Sequence, residues 1–410
     1  MKFTADFHIH SKYSRATSKN MDIDHISKWA RLKGINLMGT GDFTHPDWLR
    51  ELRSKLVNVE YGIYSHENIF YMLTTEVNNI YFKTGRTRKI HNIIFCPSFE
   101  VVEEINKMLS QYGSLFSDGR PILSVECDKM VRKLSGINPD IFVVPAHVWT
   151  PHFGLFGANS GFDAIEECFE DQTEKIYALE TGLSSDPAMN WRWSALDRFS
   201  LISNSDSHSS SKIGREANVF KKKFGYKELI EILKTKDKSK FLYTVEFYPQ
   251  EGKYHWDGHR KCNARLSPKE AKGLNYKCPK CGARITVGVM HRVEKLADRE
   301  EGFVLEGSPG FKNMVPLTEI ISEAIGVGVE SQAVQREYNS LLSKLGSEFI
   351  ILLELPEDKI KKECPPKIAR GIFNARKGNV EVIPGYDGEY GKVKVFKEGG
   401  EKKEKQLELF

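Results

Sequence analysis

The chain opens MKFTADFHIH, in which Phe3, Ala5, Phe7 and Ile9 alternate with Thr4, Asp6, His8 and His10. A period of two predicts a strand with one apolar face and sets Asp6, His8 and His10 together on the other. The same grammar repeats to about residue 245. INLMGTGDF, NIFYMLTTE, DIFVVPAH, KIYALETGL and FSLISNSDSH read as short β-rich runs that end in polar residues, and helix-patterned stretches such as DHISKWARLKG and FEVVEEINKMLSQYG lie between them. Strands alternating with helices predict parallel βα units, and in closed parallel barrels the chemistry collects where strands run out into loops. KIHNIIF breaks the rule, because His91 precedes its apolar run. A hairpin resolves this: IYF runs out from Glu76, turns at KTGRTRK and brings His91 back to the barrel mouth.

The pattern changes near Pro249. YPQEGKYHWDGHRKCNARLSPKEAKGLNYKCPKCGARITVGV is rich in Gly, Lys and Cys and lacks long aliphatic runs, so 249–300 reads as a small module separate from a first domain over 1–248. Residues 301–396 read as a mainly helical α+β region: LTEIISEAIG and AVQREYNSLLSKLG as helices, EFIILLEL as a strand, KIARGIFNARKG as a helix. A lysine/glutamate tail occupies 397–410.

Composition narrows the class. At 410 residues, 40% hydrophobic and 28% charged, the chain is an ordinary globular sequence of two or three domains. No apolar run approaches the roughly 18 residues of a membrane span, and the first strand lacks a signal-peptide core, so no membrane partner and a cytoplasmic location are expected; a monomer is expected as well. The net charge of +5 permits a nucleic-acid partner without requiring one. Of seven cysteines, Cys262, Cys278 and Cys281 cluster while Cys96, Cys127, Cys168 and Cys364 are scattered, which suggests a metal for the cluster and buried thiols elsewhere.

Collected in order, the polar strand ends supply His8, His10, Asp42, His45, Glu76, His91, His147, Asp206 and His208. Imidazoles hold ions tightly while carboxylates bridge them and neutralise their charge, so this mixture suits a multinuclear hydrolytic centre. Polar residues on a wet strand face would explain any one of these positions, but poorly explain nine. Downstream, His259-x2-Cys262 and Cys278-x2-Cys281 have zinc-knuckle spacing, with Gly282 suited to the tight turn and His255 and His291 as competing fourth ligands. Arg260, Lys261 and their basic neighbours, with Trp256 and Tyr276, suit a phosphate backbone; a solvated basic face is the plainer alternative.

H-x-H, then GD, Glu, His, a later His and a final D-x-H resemble the polymerase-and-histidinol-phosphatase (PHP) family. That resemblance implies an α/β fold: a distorted seven-stranded β/α barrel, followed here by the zinc-binding module and the C-terminal α+β region. It also implies His8, His10, Glu76 and Asp206 around one ion, Glu76, His91 and His147 around a second, and Asp42 with His45 or His208 around a third. By the same resemblance, His8, His10, Asp42, Glu76, His147, Asp206 and His208 would carry the catalytic roles. SKYSRAT after H-x-H lacks the further ligand many members have. Zn2+ is expected in the module and in the barrel, with Mg2+ or Mn2+ also able to serve catalysis.

The order of PHP motif, H-x2-C…C-x2-C, GVMHRVEKLADR and PGYDGEYG resembles the endonuclease Q family over nearly the whole chain. This implies a DNA-repair enzyme, archaeal or bacterial and nucleoid-associated, acting on damaged double- or single-stranded DNA. It would cut the phosphodiester 5′ of uracil, hypoxanthine, xanthine or an abasic site. Extruding a base needs a lined pocket, and Tyr81, Phe82, Lys83 and Arg86 after Glu76, with Trp149 and Phe153 after His147, are the candidates. Gln406, Leu409 and Phe410 resemble the start of a sliding-clamp-binding peptide; a charged tail without a partner is the alternative. A PHP phosphoesterase of small phosphate esters and a non-catalytic nucleic-acid scaffold are the competing functions.

Overall fold

The computed structural model describes residues 2–397; the candidate clamp peptide at Gln406, Leu409 and Phe410 lies outside them. Among the described residues the main sheet has eleven strands. The opening strand, Phe3–Asp6, lies between Leu37–Gly39, which it pairs in parallel, and Ala217–Phe220, which it pairs antiparallel. Leu37–Gly39 continues in parallel to the long strand Ile69–Lys83, which folds back on Arg86–Cys96 as a hairpin in which Glu76 faces Ile93 and Asn78 faces His91. Arg86–Cys96 then pairs Phe142–Pro145. The sheet is mixed rather than all-parallel, because this hairpin and the Ala217–Phe220/Phe241–Glu246 pair interrupt the βα order.

A second, parallel pair, Ala178–Glu180 with Ser200–Ile202, bridges the two sides. The Val148 amide donates to the Glu180 carbonyl at 3.0 Å, and the His10 amide to the Ser207 carbonyl at 2.9 Å. Buried Asn204 and Asn218 complete this joint: Asn204 Oδ1 accepts from the Phe7 amide at 2.8 Å and from Asn218 Nδ2 at 2.9 Å. Side chains thus do part of the work of the backbone ladder where the first strand meets residues some 200 positions later.

The C-terminal region does not stand apart. Gly310–Asn313 adds a parallel edge strand to Phe241–Glu246, and one apolar core runs from Ile9 and Trp48 to Leu341, Ile372 and Val395. EFIILLEL is not a strand. It forms a π-helical turn over Ile350–Glu354, with the Arg376 guanidinium donating to the carbonyls of Ile351 (2.6 Å), Leu352 (2.9 Å) and Leu355 (2.6 Å). A short apolar run carries no period that separates the two outcomes.

The cysteine-rich module has only a small core of Ala264, Leu266, Ala271, Cys278 and Ile285. PGYDGEYG, which reads from sequence as a phosphate-approaching turn or a tight hairpin, docks on it. Asp387 accepts from the Arg260 amide (2.6 Å) and the Thr286 hydroxyl (2.5 Å), while the Tyr386 hydroxyl donates to Asn263 at 2.7 Å. No helix among the described residues is long and apolar enough to cross a membrane.

Candidate metal centre

The first strand delivers His8 and His10 side by side at its C-terminal end, both buried. Each imidazole is fixed from behind by a carboxylate. His8 Nδ1 lies 3.0 and 3.1 Å from the two oxygens of Glu180, and His10 Nδ1 lies 3.0 Å from Asp42 Oδ1. Donation through Nδ1 selects the tautomer whose Nε2 lone pair faces away from the carboxylate, the usual way a protein presents an imidazole to an ion. Both Nε2 atoms are buried without a hydrogen-bond partner.

Those atoms converge on Glu76 and Asp206. His10 Nε2 is 3.3 Å from Glu76 Oε2 and 3.0 Å from Asp206 Oδ1; His8 Nε2 is 3.7 and 3.6 Å from the same two atoms. The other oxygen of Glu76 serves a second group, with Oε1 2.7 Å from His91 Nδ1 and 2.9 Å from His147 Nε2. Glu76 therefore joins two clusters, His8–His10–Glu76–Asp206 and Glu76–His91–His147, and within each the ligand atoms lie inside 4.8 Å of one another. Buried donor atoms left without partners, aimed at one point beside a two-faced carboxylate, fit a pair of bridged cations; a purely structural network would satisfy them.

Electrostatics say the same. Burial disfavours charge on His8 and His10, yet the facing carboxylates, Glu180 foremost for His8 and Asp42 for His10, raise both pKa values well above the usual imidazole range. Burial also pushes Glu76 up, but His91 and His8 outweigh it and hold the carboxyl well below its ordinary value. Burial pulls His91 down to about 4 despite Glu76. Backbone strain marks the same place: Asp42, His147 and Asp206 have φ of 50°, 30° and 45°. Non-glycine residues hold that conformation only where their surroundings enforce it.

The lesion-specific endonuclease PfuEndoQ from Pyrococcus furiosus superposes with a TM-score of 0.87 at 32% identity, over 96% of this chain and 95% of that one. An endonuclease Q in complex with a 27-mer duplex carrying an abasic lesion at the active site gives a TM-score of 0.84 at 32% identity, over 97% and 98%. The chain belongs to the endonuclease Q family. Residues 316–379 match the family model MJ0043 C-terminal domain. An uncharacterised protein of Methanocaldococcus jannaschii is 34% identical over 276 residues, 66% of this chain and 33% of that protein, so the match spans about a third of that relative's length.

In this endonuclease Q family member the expected third cluster does not assemble. Asp42 stands behind His10, its second oxygen taken by the Ser11 amide (2.6 Å) and the hydroxyls of Ser11 (2.7 Å) and Ser14 (2.8 Å), which leaves it orienting a ligand rather than ligating. His45 precedes the helix Pro46–Lys55 and stacks on Tyr13 at 4.5 Å. His208 sits half-exposed at the rim, its Nδ1 donating to the Asp206 carbonyl at 2.9 Å and its ring 4.5 Å from that of His10.

The proposed pocket residues divide. Phe153 stacks on His91 at 4.6 Å, within a loop that also receives Arg86 (2.7 Å to the Gly161 carbonyl) and Arg292, from the helix Val289–Leu296 beyond the cysteine module. Arg292 donates to the Phe156 and Phe162 carbonyls at 2.8 and 2.7 Å. Phe82 is exposed at the hairpin tip. Lys83 pairs with Glu170 at 2.5 Å. Trp149 is buried, donating to Asn190 at 2.8 Å, so it packs the core instead of lining a pocket. Tyr81 turns inward, its hydroxyl 3.6 Å from Cys168 Sγ.

Sequence reasoning missed Glu180, although it ends KIYALE as the other site residues end their strands, and it missed Arg120, which no strand pattern marks. In the module, His259, Cys262, Cys278 and Cys281 place their ligand atoms within 4.8 Å of one another, while His291 turns to Asp257 at 2.9 Å and His255 lies outside the group. Burial raises the Cys278 thiol, but the amides of Lys280 and Cys281 and His259 bring it down to about 6. Arg260 and Lys261 are exposed beside it.

Proposed function

We propose that the protein is a DNA-repair endonuclease that hydrolyses the phosphodiester 5′ of a deaminated base (uracil, hypoxanthine or xanthine) or an abasic site. The observation that carries this reading is Glu76 joining two buried imidazole clusters in a chain that follows an endonuclease Q over nearly its full length. The parallel and hairpin strands, closed by Ala178–Glu180 and Ser200–Ile202, are read as a distorted seven-stranded PHP barrel, and His259, Cys262, Cys278 and Cys281 as a structural zinc site.

His8, His10, Glu76 and Asp206 would hold one ion and Glu76, His91 and His147 another. A bound pair supplies an activated water and charge stabilisation for the attacking and leaving oxygens. The chain's own part is orientation. Glu180 and Asp42 lock the His8 and His10 tautomers, and Thr150 Oγ1, 2.7 Å from His147 Nδ1, locks a third. The imidazole-rich set favours Zn2+ or Mn2+ over Mg2+. Phe82, on the hairpin that also carries Glu76 and His91, and Phe153 on the adjoining loop are apolar surfaces on which an unstacked nucleotide would lie.

The test incubates the protein and Asp206→Ala with duplexes holding uracil, hypoxanthine, an abasic site or no lesion, with Mn2+ or Mg2+. One nick beside the lesion, lost in the variant, is expected. Equal cutting of every duplex would remove lesion specificity, and turnover of a small phosphate ester without DNA cleavage would replace the reading with a phosphoesterase.

A further inference from the structure

Among the described residues, Arg120 is the only lysine or arginine ion-paired to any member of the two clusters, with Nη1 3.1 Å from Glu76 Oε2. Its seat is built. Gly119 packs so closely on the His10 support that an added Cβ would stand 2.3 Å from Asp42 Oδ2 and 2.4 Å from Ser14 Oγ. The Gly119 amide donates to the Tyr13 carbonyl at 3.1 Å, its carbonyl accepts from Thr44 Oγ1 at 3.2 Å, and Asp118 Oδ1 accepts the Arg120 amide at 3.2 Å. The loop carrying Arg120 is thus clamped to the groups that orient His10, which sets its backbone beside the cluster.

Several features separate this arginine from a simple charge balance. Its side chain keeps 23% exposure while Glu76 is fully buried, so it stands on the open side of the cluster. One N–H is used at Glu76 and the rest of the planar fork has no acceptor among the described residues. The acceptor it holds, Glu76 Oε2, is the atom that faces His8 and His10. The donors not used at Glu76 lie on this partly exposed side.

From this geometry we infer that Arg120 binds a non-bridging oxygen of the phosphate undergoing hydrolysis and stabilises the charge that builds on it. This rests on the endonuclease reading. A guanidinium suits the role because it stays protonated and matches phosphate oxygens with a rigid fork.

The test uses the full-length holoenzyme, Arg120→Ala and Arg120→Lys. Two abasic duplexes are compared, one natural and one with a neutral methylphosphonate at the position of the nick. Bound ions per chain should be unchanged in both variants. In Ca2+, which allows binding to be read by anisotropy without cleavage, Arg120→Ala should bind the natural duplex about 10-fold more weakly and the methylphosphonate duplex as wild type does. Its single-turnover rate should fall about 100-fold, with partial recovery in Arg120→Lys or on adding guanidinium ion. Equal weakening on both duplexes, or loss of ions from Arg120→Ala, would make Arg120 a scaffold residue and overturn the inference. A wild type that nicks beside a lesion while Arg120→Ala nicks equally fast would overturn this inference alone. A wild type that nicks no lesion duplex would overturn the endonuclease reading beneath it.

Discussion

Replacing Glu180 by glutamine tests whether orientation from behind governs the centre. The carboxylate is fully buried and takes three donors on two oxygens: His8 Nδ1 at 3.0 and 3.1 Å, the His147 amide at 2.8 Å and Asn204 Nδ2 at 2.8 Å. Asn204 cannot turn to help, because its carbonyl already accepts from the Phe7 amide and Asn218. The new NH2 must therefore face a donor. Facing His8, it favours the tautomer that carries its proton on Nε2, the atom meant for the ion. Such supports are typically worth about 10- to 100-fold in metal affinity, or roughly 1.4–2.8 kcal/mol. The pH dependence has a definite sign. Burial lowers the His8 pKa and Glu180 leads the charges that raise it, so Glu180→Gln weakens the proton's hold as well as the ion's. The deficit should be full at pH 8, where protons compete least, and smaller at pH 6. Mn2+ titration of the metal-depleted protein at both pH values, by calorimetry, reads this directly. Affinity within twofold of wild type at pH 8 would refute the orientation argument.

Three further outcomes are expected. Burial pushes Glu246 up to about 8, against hydroxyl donors from Ser203, Thr244 and Thr181; a native acid that holds its proton longer than the unfolded one loses stability as pH rises from about 4.5 to about 8. Glu246→Gln should therefore raise Tm relative to wild type at pH 9 and lose that advantage near pH 4.5, as a pH series of melts would show. Arg292→Ala leaves the carbonyls of Phe156 and Phe162 unpaired, at a cost of about 1–3 kcal/mol each. Hydrogen exchange should accelerate over 148–162 and incision should slow, with the ion content unchanged; unchanged exchange there would refute the clamp. Cys281→Ser should remove one ion per chain and the exchange protection of 257–286, whose core is too small to hold alone, while protection around Glu76 persists.

Much of the centre was legible because strand geometry writes itself as a period of two. H-x-H and D-x-H at strand ends announce side chains on one face, and the polar residues interrupting apolar runs at Glu76 and His147 have few structural excuses. What the pattern cannot distinguish is a carboxylate that ligates from one that orients. Asp42 follows its strand as plausibly as Glu76 sits within its own, and only the serines crowding Asp42 separate their roles. Trp149 lies two residues after His147, but a sharp turn, with φ of 30° at His147, sends its ring into the core. Arg120 was invisible for a different reason: it sits in a loop placed by a glycine contact over 70 residues away in sequence. The π-turn at Ile350–Glu354 depends on Arg376, a partner no local window contains.

The position of the opening strand has a consequence for synthesis. Phe3–Asp6 lies between Leu37–Gly39 and Ala217–Phe220, and His8 is braced by Glu180. This strand must wait for a partner made more than 200 residues later in the chain. At 5–20 residues per second, roughly 10–40 s pass before residue 220 is made. Throughout that interval an apolar strand edge and two histidines face solvent. Loop-closure entropy of this span makes folding slow once the chain is complete. The nascent protein is thus most open to aggregation, and to capture of the wrong ion, while His8 and His10 are already synthesised and Glu180, Asp206 and the strand Ala217–Phe220 are not.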